Sequence, residues 1–80
     1  MSDPLLERIR TVVAATFGVP LTSITVESGN HSIMEWDSMN HLHLIVALEA
    51  EFGVSFEPEQ AVELIDVQTI HRALLGLVAR

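Results

Sequence analysis

The chain has no cysteine and no lysine. Without cysteine there are no disulfides and no thiolate metal ligands. Without lysine, four arginines stand against eleven acidic residues, for a net charge of −7. A chain this poor in positive charge has no basic patch with which to displace counterions from nucleic acid, so nucleic acid is excluded as a partner. The acidic surplus favours basic partner surfaces and fast, salt-sensitive association, although solubility alone also accounts for it. No stretch is long and apolar enough to cross a membrane, and Met1-Ser2-Asp3-Pro4 does not read as a signal sequence. The expectation is a soluble, cytoplasmic protein. Repeats, low-complexity tracts and domain boundaries are also missing, so residues 1–80 read as one small domain.

What is present is apolar: 49% of the residues are hydrophobic, enough for a core without staples. Leu5, Leu6, Ile9, Val12, Val13 and Phe17 recur at helical spacing, with Ser2 or Asp3 to cap, Pro4 in the first turn and Gly18 to stop. Glu7, Arg8 and Arg10 fall on the wet side of this helix. A loop follows from Val19 to about Asp37, long for so small a domain and so a functional candidate. Its Leu21, Ile24, Val26, Ile33 and Met34 predict that it packs on the core, with a turn at Gly29-Asn30. A second helix is predicted from Ser38 to Phe52, stopped by Gly53. Glu57-Pro58-Glu59 opens a short third helix to about Leu64. Asp66 caps a fourth, with Val67, Ile70, Leu74 and Val78 as its buried stripe and Arg72 and Arg80 toward its C-terminus. The fold class is all-α: three longer helices and a short one.

The second helix carries two apolar faces. With side chains turning by about 100° per residue, Leu44, Ile45, Leu48 and Phe52 share one arc, the core face. Met39, His43, Val46 and Ala50 share a narrower arc on nearly the opposite side, with Glu49 on a flank. A small bundle does not usually bury opposite faces of one helix, so the second stripe either meets a partner or lies under the long loop. It begins beside Asp37-Ser38-Met39, where the polar loop becomes the helix. A serine there is either a cap, as is Asp37, or an attachment point, because free N–H groups and the positive end of the helix dipole favour a phosphate ester.

Trp36-Asp37-Ser38-Met39, then Leu44-Ile45-Val46-Ala47-Leu48-Glu49-Ala50-Glu51-Phe52, then Phe56 to Ile70 with Val67-Gln68-Thr69-Ile70, resemble the acyl carrier and peptidyl carrier protein family over nearly the whole chain. The family's signature is Asp-Ser-Leu opening the second helix, an apolar and acidic helix ending in Glu-x-x-Phe, a short third helix, and a fourth opened by a Val-Gln-type pair. The resemblance implies a four-helix bundle with no catalysis of its own. It implies that a phosphopantetheinyl transferase moves phosphopantetheine from coenzyme A to Ser38, and that the arm's thiol then holds an acyl or aminoacyl thioester. With no cysteine, no side chain competes for that thioester by exchange. Partners would be the transferase, an acyl- or aminoacyl-loading ligase and a downstream synthase or transferase with a basic docking surface, meeting a monomer. By position, Asp37, Met39, Val46 and Glu49 match the family's contact residues; His43 and Ala50 join them on the stripe. The buried positions correspond to Leu44, Leu48, Phe52, Phe56, Ala61, Leu64 and Ile70. A bulky Phe56 points to a filled interior and short cargo held outside.

The chain departs from the family pattern in places. Met39 replaces Leu, a swap of similar size. Glu35 stands where many relatives have Gly. Asn40, His41 and His43 occupy positions that are often acidic in fatty-acid carriers, which puts bulk fatty-acid synthesis in doubt, and Trp36 with His41, Leu42, Leu44 and Ile45 looks more like free-standing carriers of specialised pathways, polyketide or nonribosomal peptide. The four histidines do not have the spacing of a metal site: His41 and His43 point to different sides of a helix, and His31 and His71 lie elsewhere. His41 falls near the core arc as a semi-buried polar residue, and His43 is a candidate pH-sensitive group on the stripe. Trp36 reads as a loop anchor, and Glu59 and Glu63 as a solvated i, i+4 pair. The alternative to a carrier is an unmodified helical interaction module that docks through Met39, Val46 and Ala50.

Overall fold

A computed structural model describes residues 3–78, and for Val78 the backbone alone. Four helices follow one another: α1 Pro4–Phe17, α2 Ser38–Phe52, α3 Pro58–Glu63 and α4 Val67–Val78, with a 3₁₀ turn at Leu21–Ser23 in the α1–α2 loop. The helix boundaries have local causes. Asp3 caps α1, its carboxylate accepting the N–H groups of Leu5 at 3.0 Å and Leu6 at 3.2 Å; the alternative cap, Ser2, lies outside the described residues. Gly18 and Gly53 end α1 and α2 at φ +68° and +63°, a left-handed turn that suits glycine. Pro58 opens α3, where a missing N–H costs nothing. Asp66 caps α4 through Thr69, whose N–H donates to Asp66 Oδ1 at 2.7 Å.

α1 lies mainly against α2 and then α4. Ile9, Val13, Ile24, Leu44, Leu48, Val67, Ile70 and Leu74 are wholly buried between them. The α4 stripe is as anticipated at Val67, Ile70 and Leu74; Val78's side chain and Arg80 lie outside the described residues. Among the family-type core positions, Leu44, Leu48, Leu64 and Ile70 are buried, whereas Phe52, Phe56 and Ala61 are only half-buried at the rim.

The long loop departs from expectation. Only Ile24 is fully buried and Ile33 half-buried; Leu21, Val26 and Met34 are exposed, Met34 at 92%. Polar bonds hold the loop where apolar packing does not. Arg10, expected on the wet side, is half-buried and grips the loop, donating to the carbonyls of Ile24 at 2.6 Å and Leu21 at 3.1 Å. Further along, Asn30 N–H donates to the Ile65 carbonyl at 3.0 Å and Val67 N–H to the Ser28 carbonyl at 2.8 Å, so the loop crosses the α3–α4 junction as a single antiparallel bridge between Gly29 and Asp66. Trp36 ends the loop as an anchor, 4% exposed, its ring 5.1 Å from that of Phe17. This path delivers Asp37 and Ser38 to the top of α2.

Candidate functional site

Asp37, not Ser38, caps α2: its Oδ1 accepts the N–H of Asn40 at 2.9 Å. Ser38 is the first helical residue, exposed, with its hydroxyl outside the capping bonds. Asn40 reaches back and donates to the Glu35 carbonyl at 2.8 Å, fixing the approach of the loop. Ser38 opens on a groove of about 400 Å³ lined by Asn30, Trp36, Asp37, His41, Val62 and Ile65. Its far wall is apolar, Val62 being 73% exposed on α3 and Ile65 44% exposed just beyond it.

His41 lines the groove beside Trp36. The Trp36 indole N–H donates to His41 Nδ1 at 3.0 Å, and His41 Nε2 meets the Ala61 carbonyl at 2.8 Å. An indole N–H only donates, so Nδ1 must be the acceptor. Nε2 then carries the hydrogen and donates to the Ala61 carbonyl, which also accepts the Leu64 N–H at 3.3 Å at the end of α3. His41 is therefore neutral in this arrangement. Its semi-buried placement was legible from the helix wheel; the bridge was not, because Ala61 is twenty residues away.

The second apolar arc of α2 is open. Met39 is 68% and Val46 65% exposed, His43 and Ala50 are exposed, and the loop does not cover them. Leu42, also 65% exposed, extends the same face between Met39 and Val46; the wheel places it next to Val46, a signal the two-arc reading passed over. Glu49 is half-buried, and its Oε2 accepts the Phe56 N–H at 2.8 Å, tying α2 to the segment before α3. Glu51 pairs with Arg8 at 3.1 Å, and Arg8 also lies 4.5 Å over the Phe52 ring. Of the acids on or beside this face, Asp37 stands at the serine and Glu49 and Glu51 already have partners. Among the described residues, no three His, Asp or Glu side chains converge as metal ligands would.

Residues 7–74 match the family model described as a phosphopantetheine attachment site. The chain belongs to the acyl carrier protein family. It is 34% identical over 76 residues to an acyl carrier protein of Saccharopolyspora erythraea, covering 95% of this chain and 80% of that one. It is 33% identical over 72 residues to acyl carrier protein 2 of Pseudomonas aeruginosa, covering 90% and 87%. A protein of Petrotoga mobilis named acyl carrier protein is 29% identical over 72 residues, covering 90% and 81%. Members of this family are carriers rather than catalysts, their prosthetic group is covalently attached phosphopantetheine, and they work with a phosphopantetheinyl transferase and with biosynthetic enzymes. The all-helical bundle agrees with that membership. The site at Ser38 has room for the group: an exposed hydroxyl, a helix start whose dipole favours a phosphodiester, and an apolar-walled groove beside it. No helix of the described residues is long and apolar enough to cross a membrane.

Proposed function

We propose that Ser38 is the residue esterified by phosphopantetheine, and that the chain carries acyl or aminoacyl thioesters between enzymes of a specialised pathway of the polyketide or nonribosomal peptide type. The observation that carries this reading is the exposed Ser38 at the first position of α2, opening on the groove toward Val62 and Ile65. Once attached, phosphopantetheine supplies the thiol that bears the cargo. The chain's own residues present and orient it: Asp37 holds the helix start, and Trp36 and His41, bonded to each other, line the groove.

Partner enzymes dock on the open face of α2, with Met39, Leu42 and Val46 as apolar contacts, His43 and Ala50 at its edge, and Asp37 as the acid beside the serine. Such a face is small and suits brief encounters better than a permanent interface. Its shortage of free carboxylates supports a specialised role over bulk fatty-acid synthesis. Asn40, His41 and His43 bring no negative charge, and Glu49 is engaged with Phe56. A basic partner surface finds Asp37 at the serine and a mainly apolar patch beyond it. The protein acts as a cytoplasmic monomer of one carrier domain.

Intact mass after incubation with coenzyme A and a promiscuous phosphopantetheinyl transferase tests this. Wild type gains one phosphopantetheine and Ser38→Ala gains none. A folded wild type left unmodified, also by the transferase of its own genome, would instead support an unmodified interaction module.

A further inference from the structure

We propose that His41 is a positioning residue: by bridging Trp36 and the Ala61 carbonyl in its neutral form, it sets the width of the groove beside Ser38, and its protonation releases the α3 wall. This deepens the carrier reading above, which enters only in what fills the groove.

The argument rests on donors and acceptors. Trp36 N–H points at His41 Nδ1 over 3.0 Å and has no lone pair to offer. A second proton on His41 would sit on Nδ1, placing two N–H groups head to head. The bridge survives only if the ring stays neutral; a protonated ring has to turn away, which also takes Nε2 from the Ala61 carbonyl at 2.8 Å. Protonation therefore breaks the tie between the top of α2 and the end of α3. Although the segments at its two ends are held, the Phe56 N–H by Glu49 and the Ile65 carbonyl by the Asn30 N–H, α3 has few ties of its own. It has six residues, its cap residue Glu57 makes no side-chain capping bond, and none of its residues is fully buried. Val62 follows Ala61 directly, so a shift of Ala61 moves it, while Ile65, whose carbonyl is held by Asn30, lines the same groove and senses that shift.

The acids on the elements packed near His41 are engaged elsewhere or exposed. Asp37 lies on the groove wall and is engaged as the α2 cap. Glu35 is exposed in the loop, and Glu57, Glu59 and Glu63 of α3 are exposed. Asp66 at the α3–α4 junction is bonded to Thr69. From α1 the neighbour is Phe17, packed on the far side of Trp36. Among the described residues none of these acids is a hydrogen-bond partner of the imidazole.

Trp36 is the sole tryptophan, so its emission reports the bridge directly. The protein without phosphopantetheine is titrated through the histidine range, roughly pH 5 to 8, while tryptophan emission, the His41 ring proton and the methyl shifts of Val62 and Ile65 are followed by NMR. The expected result is one midpoint shared by all of them. His41→Gln offers an amide oxygen and an amide N–H in place of Nδ1 and Nε2 and takes up no proton; in this variant the pH response of Trp36 and of both methyls is lost, and the neutral-form spectrum persists in acid. His43→Gln retains the response. Tryptophan emission that stays constant across the range would overturn the proposal. So would Val62 and Ile65 methyls that ignore the His41 midpoint. If His41→Gln does not fold, the shared or separate midpoints of the wild type decide alone. None of these measurements needs Ser38 to be modified, so failure here leaves the mass test of the carrier reading standing, and the reverse.

Discussion

Gly29 lies so close to Asp66 that a methyl group on its Cα would stand 2.6 Å from Asp66 Cβ and 2.7 Å from the Ile65 carbonyl oxygen. That approach lets the loop and the α3–α4 junction exchange backbone bonds, and it sets the path by which the loop returns to Ser38. Gly29→Ala is expected to lower stability by about 1–3 kcal/mol, the usual cost of overpacking where backbone must move, read as a lower urea midpoint.

On the proposed reading, Ser38 and Asp37 divide attachment and capping between adjacent residues. Because Asp37 makes the capping bond, Ser38→Ala is expected to abolish phosphopantetheine attachment while changing the urea midpoint little. Asp37→Ala is expected to cost about 0.5–2 kcal/mol of stability, the range for a lost N-cap. A Ser38→Ala protein as destabilised as Asp37→Ala would contradict this division.

The two faces of α2 give opposite readouts. Leu48 is wholly buried, and Leu48→Ala is expected to cost about 2–5 kcal/mol. Val46, 65% exposed, is expected to tolerate alanine within about 0.5 kcal/mol, yet Val46→Ala, like Met39→Ala, should slow modification by the transferase through a raised KM. Steady-state kinetics beside urea titration separate the two effects.

Acid should loosen the junction of α1 and α4. The Asp3 carboxyl is held below its ordinary value, chiefly by the Leu6 N–H and also by His71 and the Leu5 N–H, against a smaller opposing effect of burial. His71 Nε2 lies 2.9 Å from Asp3 Oδ2, a contact that is an ion pair only when the imidazole carries its second proton. A carboxyl lowered in the folded state stabilises above its unfolded pKa, and that stability is lost as pH falls through the folded value. Asn at position 3 still caps but does not ionise. The urea midpoint of Asp3→Asn is therefore expected to fall less steeply than that of wild type between about pH 5 and pH 2.

Much of the scaffold around the candidate site was legible in the chain because it depends on local chemistry. Apolar spacing marks α1, α2 and α4; Asp3, Pro4, Gly18, Asp37, Gly53, Pro58 and Asp66 mark where helices begin and end. The same spacing placed Leu44, Ile45 and Leu48 inside, with Phe52 half-buried at the end of the same arc, and set Met39, His43, Val46 and Ala50 on a second arc without deciding what covers it. The loop was misjudged where the pattern counted apolar residues and the fold used polar ones. Leu21, Val26 and Met34 face water while Arg10 grips the loop by its carbonyls.

By itself, then, the sequence determined the helices, the core face of α2 and the serine at its first turn, because caps, stops and helical periodicity act over a few residues. Only the tertiary structure decided that the loop leaves the stripe of α2 open, that Glu49 turns inward to the Phe56 N–H, and that His41 joins Trp36 to Ala61. Those contacts depend on how residues from different elements meet, and hydrogen-bond partners chosen across the fold leave no period in the chain.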